Sequence, residues 1–416
     1  MTPRLFVLAL VAAASAASAQ PFTTLSQDSP VAVSDLQRLA AGGAVAALPT
    51  LDSPFLSNPA HVADTRLFSL NVVGVTAGAG GNVREAYDFY DQELGPAIEE
   101  GLDDIRRDDP ERLEALYLEA LRVGSTQKTA DLAVFAPSLR VGAGPVAFGV
   151  GVFGGSVTRA KMIDAGAGVP YVDLYGQADL AVPAVVGVDL SRTPAGLALP
   201  FDLSLGARAT YLQRRITAKG EAVDALDPDG EKLYLLRGET VRFAAGLLAR
   251  NVVVPGLDVG AEVSSVGGNV EYALDRSWAI SGSEGTADDM AEVAALQARF
   301  SERPAEPVVR VGGAYRLPTA LIPGLSNAGV AVDYTSASTS EFDQSFQAGL
   351  RGGARATLAG LLELRAGVSQ GMPSAGAALV TRFARLEYAT YGVEDGRLLG
   401  QLRRRNHVVQ LRLGWF

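Results

Sequence analysis

From about residue 130 the sequence repeats one pattern: roughly ten residues of alternating polarity, then a turn rich in Gly, Pro, Asn or Asp. Period-two alternation bounded by such turns is the signature of half-buried strands. In the stretch 172–182, Val172, Leu174, Ala178, Leu180 and Val182 share one face, while Asp173, Tyr175, Gln177 and Asp179 share the other. The same division recurs further along. Leu203, Leu205, Ala207, Ala209 and Tyr211 oppose Asp202, Ser204, Arg208 and Thr210; Val241, Phe243, Ala245, Leu247 and Ala249 oppose Thr240, Arg242 and Arg250. Leu257, Val259, Ala261 and Val263 oppose Asp258, Glu262 and Ser264, and Phe346, Ala348, Leu350, Ala354 and Ala356 oppose Gln347, Arg351 and Arg355. Leu362, Leu364, Ala366 and Val368 then oppose Glu363, Arg365 and Ser369.

A soluble sandwich alternates in the same way, with its polar face in water. Three features favour a membrane wall instead. The strands are longer than the usual five or six or so residues of globular domains. The polar face carries many arginines flanked by small residues. Connections such as Ala143-Gly144-Pro145 and Ala359-Gly360 are very short, whereas long insertions gather at the other end, as in outer-membrane barrels whose short turns are periplasmic. An arginine facing lipid near the midplane costs roughly 2–4 kcal/mol, so the arginines should face an enclosed lumen. Closure follows, because an open edge would leave backbone groups unpaired in hydrocarbon. The expected fold is all-β: a closed antiparallel transmembrane β-barrel of about fourteen strands.

Composition fits. The chain is 48% hydrophobic with 46 glycines, yet after the first residues no apolar run reaches the 18 or so needed for a membrane helix. Thr2-Pro3-Arg4, an apolar run from Leu5 to Ala14 and Ala17-Ser18-Ala19 predict a signal peptide over residues 1–19, hence export to the outer membrane. No cysteine is present, which excludes disulfides, thiolate metal sites and a lipid-modified cysteine. The net charge of -10 supplies no basic stripe for nucleic acid. Two histidines leave little for a His-rich metal site, and no Gly-x-Ser-x-Gly elbow accompanies His407, so neither metal nor cofactor nor catalysis is expected. Asp227-Pro-Asp229-Gly-Glu231 lacks the later ligands of a calcium loop and reads as a solvated loop.

A barrel wider than about eight strands cannot be filled by its own wall side chains. Residues 20–66 are the candidate filling, a plug-like segment with Val45 to Leu48, Leu51, Phe55 and Leu56 to bury and an Asn58-Pro59-Ala60 turn. The barrel then occupies 67–416, interrupted by a helical insertion at about 83–123, divided by Pro96 and Pro110, and by a second at about 286–300. Leu113, Leu116, Tyr117, Ala120 and Leu121 align on the first; Met290, Val293, Ala294 and Gln297 align on the second. Candidate lumen-lining residues are Asp173, Asp179, Arg208, Arg242, Arg250, Asp258, Glu262, Asp333, Arg351, Arg355, Glu363 and Arg365. The arginines could hold an anionic head group, or pair with the acids in a structural lattice.

The segment Leu51 to Ala63, with Asn58-Pro59-Ala60 ahead of the first strand, resembles the Asn-Pro-Ala element of FadL-like outer-membrane barrels and their PorV-like and conjugal-transfer TraF-like relatives. The stretch 350–416 is similar too, with Arg365-Ala-Gly-Val, Gly371, Leu386-Glu-Tyr-Ala, Gly400 and a last strand ending in Phe416. In layout the helical insertion is closest to the TraF-like branch. The resemblance implies about fourteen strands around an N-terminal segment and passage of hydrophobic small molecules. Expected partners are outer-membrane lipid, the barrel-assembly machinery and a hydrophobic or detergent-like molecule in the lumen; the alternative is a membrane platform for a secretion or conjugation apparatus.

Overall fold

The computed structural model describes residues 30–125, 127–164, 170–194, 199–222, 232–279, 287–301, 307–319, 323–336, 346–394 and 403–415. Residues 1–19, expected to be a signal peptide, the 227–231 loop and Phe416 lie outside them. The described strands are β1 (Phe68–Gly80), β2 (Lys128–Ala143), β3 (Val146–Asp164), β4 (Pro170–Asp189), β5 (Asp202–Ala222), β6 (Lys232–Arg250), β7 (Leu257–Val266), β8 (Glu271–Ala279), β9 (Val308–Arg316), β10 (Leu325–Thr335), β11 (Leu350–Leu358), β12 (Leu362–Ser369), β13 (Met372–Val380), β14 (Ala384–Glu394) and β15 (Arg403–Trp415). All the pairings are antiparallel, successive strands pair except around β7 and β8, and β1 pairs with β15, so the sheet closes.

β7 and β8 both pair with β6, the first against Phe243–Ala249 and the second against Lys232–Glu239. They are two halves of one wall strand, broken at Gly267-Gly268, which makes this a fourteen-strand barrel. β9 continues the wall from β7, and among the described residues β8 pairs with β6 alone. The wall is uneven in height. β5 runs 21 residues and β12 only 8; since about ten tilted residues cross a bilayer, the β2–β6 side must rise beyond the membrane.

Short turns mark the end of the barrel where the N-terminal segment runs into β1. Ala359 and Gly360 both take positive φ, 51° and 68°, the pair a type I′ turn needs between two strands. Gln370-Gly371 makes one equally short turn at the opposite end. Outward positions such as Val75, Leu132, Val241, Leu364 and Leu411 are exposed, and their neighbours in sequence are buried or half-buried. Phe346–Gly349 departs from the alternation read there: it forms one helical turn before β11.

The insertion after β1 comprises helices that include α1 (Val83–Phe89) and α2 (Pro110–Gly124), with Pro96 and Pro110 each in the first turn of a helix. Leu113, Leu116, Tyr117, Ala120 and Val123 form its buried stripe, together with Phe89, Leu94 and Val172. Helix α3 (Ala287–Ser301) buries Val293 and Phe300, while Met290 is exposed. Of the expected Met290, Val293, Ala294 and Gln297 stripe, Val293 is buried but Met290 and Ala294 are exposed, so the packed face is Val293–Leu296–Phe300. Both stripes have helical spacing, and the one offering an aromatic ring found Tyr175 and Tyr272 at 6.4 and 6.1 Å.

Candidate functional site

Residues 30–65 lie inside the barrel, and local sequence explains their shape. Asp35 caps the helix Leu36–Ala40 by accepting from the Arg38 backbone N–H (3.1 Å), and Asn58 Oδ1 caps Pro59–Asp64 by accepting from the Ala60 N–H (3.0 Å). Pro59 sits where a missing N–H is harmless. The Asn58 amide also donates to Ala46 O (2.8 Å) and to Leu247 O of the wall (3.0 Å), so one side chain ties the middle of the segment and its last helical turn to β6. A Cβ on Gly246 would come within 2.0 Å of Asn58 Oδ1, and one on Gly206 within 2.4 Å of the Ala60 nitrogen. The wall glycines allow the turn to approach.

Apolar contact holds the segment on one side. Val31, Phe55 and Val62 pack with Phe135, Phe153, Ala181, Val185 and Leu212. Phe55 lies 5.7 Å from Phe153, ring centre to ring centre. Fully burying such side chains contributes roughly 1.5–3 kcal/mol each.

On the β12–β15 side the contacts are ionic. Arg412, fully buried over the Phe135 ring at 4.6 Å, donates to Asp52 (2.6 Å) and to the Ser34 carbonyl. Glu387 accepts from Arg385 and lies 3.5 Å from Arg365; Glu363 accepts from Arg365 and, at 2.6 Å, from Arg385. Three arginines thus meet three carboxylates. Gln410 and Ser374 donate to the segment's carbonyls at Ser34 (2.7 Å) and Ala40 (3.1 Å).

The sequence candidates fall among these contacts. Asp333 accepts from the Val45 and Ala46 N–H groups, both at 2.7 Å, and Arg355 donates to Pro49 O (2.7 Å). Arg208 donates to Ser57 O (2.5 Å); Arg250 donates to Asp64. Burial pushes the Asp64 carboxyl up, but the neighbouring His61 ring, 3.7 Å away, and the Arg250 charge outweigh it and hold Asp64 below its usual value. Asp179 pairs with Arg214 (2.7 Å), Asp258 with Arg316 (3.0 Å), and Glu262 with Arg310 (2.9 Å). Arg351 donates to Ala348 O (2.6 Å), and Asp173 stands opposite Lys161 in the β3–β4 register. Arg242 is half-buried at the edge of a cavity.

That cavity, about 170 Å³, lies between the N-terminal segment and the β4–β9 wall. Val31, Phe55, Leu56, Ala181 and Leu212 give it apolar surface, and Arg38, Arg208, Arg242, Arg310 and Glu262 give it charge. It extends to Phe243, Ser264, Ser265 and Val308, where β7 leaves β6 after a register shift between Phe243 and Ala245. Phe243 is exposed on the outer surface, next to the register shift and a few residues from the break. Sequence reasoning missed Arg38, Asp52, Arg214, Arg310, Arg385, Glu387 and Arg412. Arg385 and Glu387 sit two apart in one strand, as do Gln410 and Arg412, so the alternation rule carried the signal for these four.

No family model matches the chain, and no curated protein does. Solved structures similar to it include the TodX deltaS2S3 mutant monoaromatic hydrocarbon channel, at 11% identity over 91% of this chain and 97% of that one, TM-score 0.48. The Ralstonia pickettii toluene transporter TbuX is similar at 13% identity over 92% and 98%, TM-score 0.46. The translocator domain of autotransporter NalP from Neisseria meningitidis is similar at 10% identity over 85% and 91%, TM-score 0.37. Likenesses at this level do not reach beyond the architecture, which stands on the strand pairing above.

Proposed function

We propose that the protein is an outer-membrane channel for small hydrophobic or amphipathic compounds, with residues 30–65 as a plug and the break at Gly267-Gly268 as a side exit towards lipid. The observation that carries this reading is the cavity between Phe55, Leu56 and Leu212 on one side and, on the other, the wall at Phe243 and Val308 beside the irregular β6–β7 pairing. Its composition suits an amphiphile: an apolar body against the phenylalanine and leucines, and an acidic head against the arginines. The N-terminal segment excludes water from the lumen beneath it, so the apolar route ends in the wall rather than in the periplasm.

Uptake of radiolabelled alkylbenzene and medium-chain acid into proteoliposomes tests it. Leu212→Trp, which fills the cavity, should cut uptake of both several-fold while heat-modifiable migration persists. Unchanged uptake would overturn the reading. The second reading, a membrane platform for a secretion or conjugation apparatus of the TraF-like kind, is favoured by the balanced ion lattice that closes the β12–β15 side. It predicts pulldown of partner proteins under mild detergent, indifferent to Leu212→Trp.

A further inference from the structure

A second cavity lies outside the lumen. Alternation places Lys128, Ala130 and Leu132 on one face of β2, and Leu132 is exposed, so Lys128 points outward. Lys128 pairs in register with Ala160, and Met162 with Val172, so Ala160, Met162 and Val172 share the outward face. Helix α2 packs on them: Gly124 sits so close to Met162 that a Cβ would come within 2.4 Å of its side chain. Between α1, α2 and this face is an apolar cavity of about 130 Å³, walled by Ala86, Phe89, Tyr90, Leu94, Val123 and Val172. An apolar cavity of about 150 Å³ stays dry and takes a benzene-sized group.

Its height on the wall and its one lysine bear on the occupant. Leu132 and Leu180 are exposed apolar residues of the lipid-facing surface, and Lys128 stands four positions above Leu132 on the same strand. At about 3.3 Å per residue and a tilt of about 45°, Lys128 is roughly 9 Å above it, towards the rim of the wall, the direction in which a lipid head group would lie. Lys128 lines the cavity and is 9% exposed. The acid that acts on it, Glu85, is already held by Arg122 at 2.9 Å.

We propose that this pocket binds an anionic membrane lipid, with the end of one acyl chain between α1, α2 and the outward face of β3–β4 and the acidic head group on Lys128. The helical insertion would then be seated on the outer leaflet by a lipid, independently of any passage through the lumen.

The test uses the full chain in phosphatidylcholine vesicles doped with phosphatidylglycerol carrying a terminal diazirine on one acyl chain. Photolysis and peptide mapping should label 83–94 and 120–124 in addition to the wall around Leu132 and Leu411. Ala86→Trp, which fills the pocket, should remove the first set and spare the second, and the retained wall labelling shows that the variant is folded and inserted. Lys128→Gln should lower pocket labelling by the anionic lipid about tenfold, to the level given by the phosphatidylcholine analogue, as expected for loss of a charge-assisted contact. Wall labelling without pocket labelling would overturn the proposal, as would pocket labelling that ignores Ala86→Trp. Labelling only by a soluble diazirine alkylbenzene would also overturn it, by assigning the pocket to a free hydrocarbon.

Discussion

The two sides of the lumen are built from the same residue types and do opposite things. Towards β12–β15, Arg365, Arg385 and Arg412 meet Glu363, Glu387 and Asp52, charge balances charge, and the N-terminal segment is clamped. Towards β4–β9, four arginines line a cavity with Glu262 as the acid among them, and space remains. A buried arginine with its own carboxylate is structure; a buried arginine short of one is an acceptor for an anion brought from outside. What separates the clamp from the proposed binding cavity is the ratio of partners, not the residue.

The contrast breaks most sharply at the clamp. Asp52→Leu leaves the Arg412 guanidinium buried with its main partner gone, and removing one member of such a pair costs about 3–5 kcal/mol. The folded, heat-modifiable species should shift to a much lower melting temperature. Restoring neutrality with Arg412→Leu in the same chain should recover most of the loss. A double variant no better than the single one would show that the pair is not a clamp.

The next effect is steric. Gly246→Val drives a side chain into Asn58, and overpacking of this kind costs typically 1–3 kcal/mol. The wall cannot yield, because Gly246 pairs with Gly206 in the sheet, so the plug must move. Residues 30–65 should become sensitive to protease added inside proteoliposomes, with the barrel itself intact. Continued resistance would mean that the segment is held by the clamp alone.

These effects differ in how far the sequence announces them. The barrel was legible because lipid imposes one rule on every strand, and Leu362 to Ser369 obeys it as Val172 to Val182 does. The inward phase of a strand names the lumen residues in the same way, so Arg385 and Arg412 were readable once their strands were drawn. Pairing was not readable. Asp52 and Arg412 are 360 positions apart, and which acid an arginine meets depends on barrel closure and on how the plug threads it. The break in the wall was hidden for another reason. Gly267-Gly268 looks like any barrel turn, and only the pairing of β7 and β8 with one neighbour exposes the break.

A smaller effect sharpens the cavity side. Arg242→Leu removes one surplus charge without unpairing a carboxylate. Uptake of a medium-chain acid should fall about tenfold, the equivalent of about 1.4 kcal/mol, while uptake of alkylbenzene stays the same. Equal loss for both substrates would mean that Arg242 shapes the cavity and does not read charge.

The smallest expected effect is the pH response of the plug. Burial, and then the neighbouring Asp52, raise the Asp35 carboxyl above its usual value, against the opposing pull of Arg38 and Arg412. The folded state therefore prefers Asp35 protonated, and its contribution is fully present below the ordinary carboxylate value and lost as pH rises through the raised one. Asp64 has the opposite sign. Held low by His61 and Arg250, it stabilises above the ordinary value and loses that contribution as pH falls through its depressed one. Between the two values Asp35 is protonated and Asp64 charged, so plug protection from protease should peak in mild acid. Asp35→Asn should flatten the alkaline arm of that profile and Asp64→Asn the acid arm. If both variants leave the profile unchanged, the titrating groups lie elsewhere in the lumen.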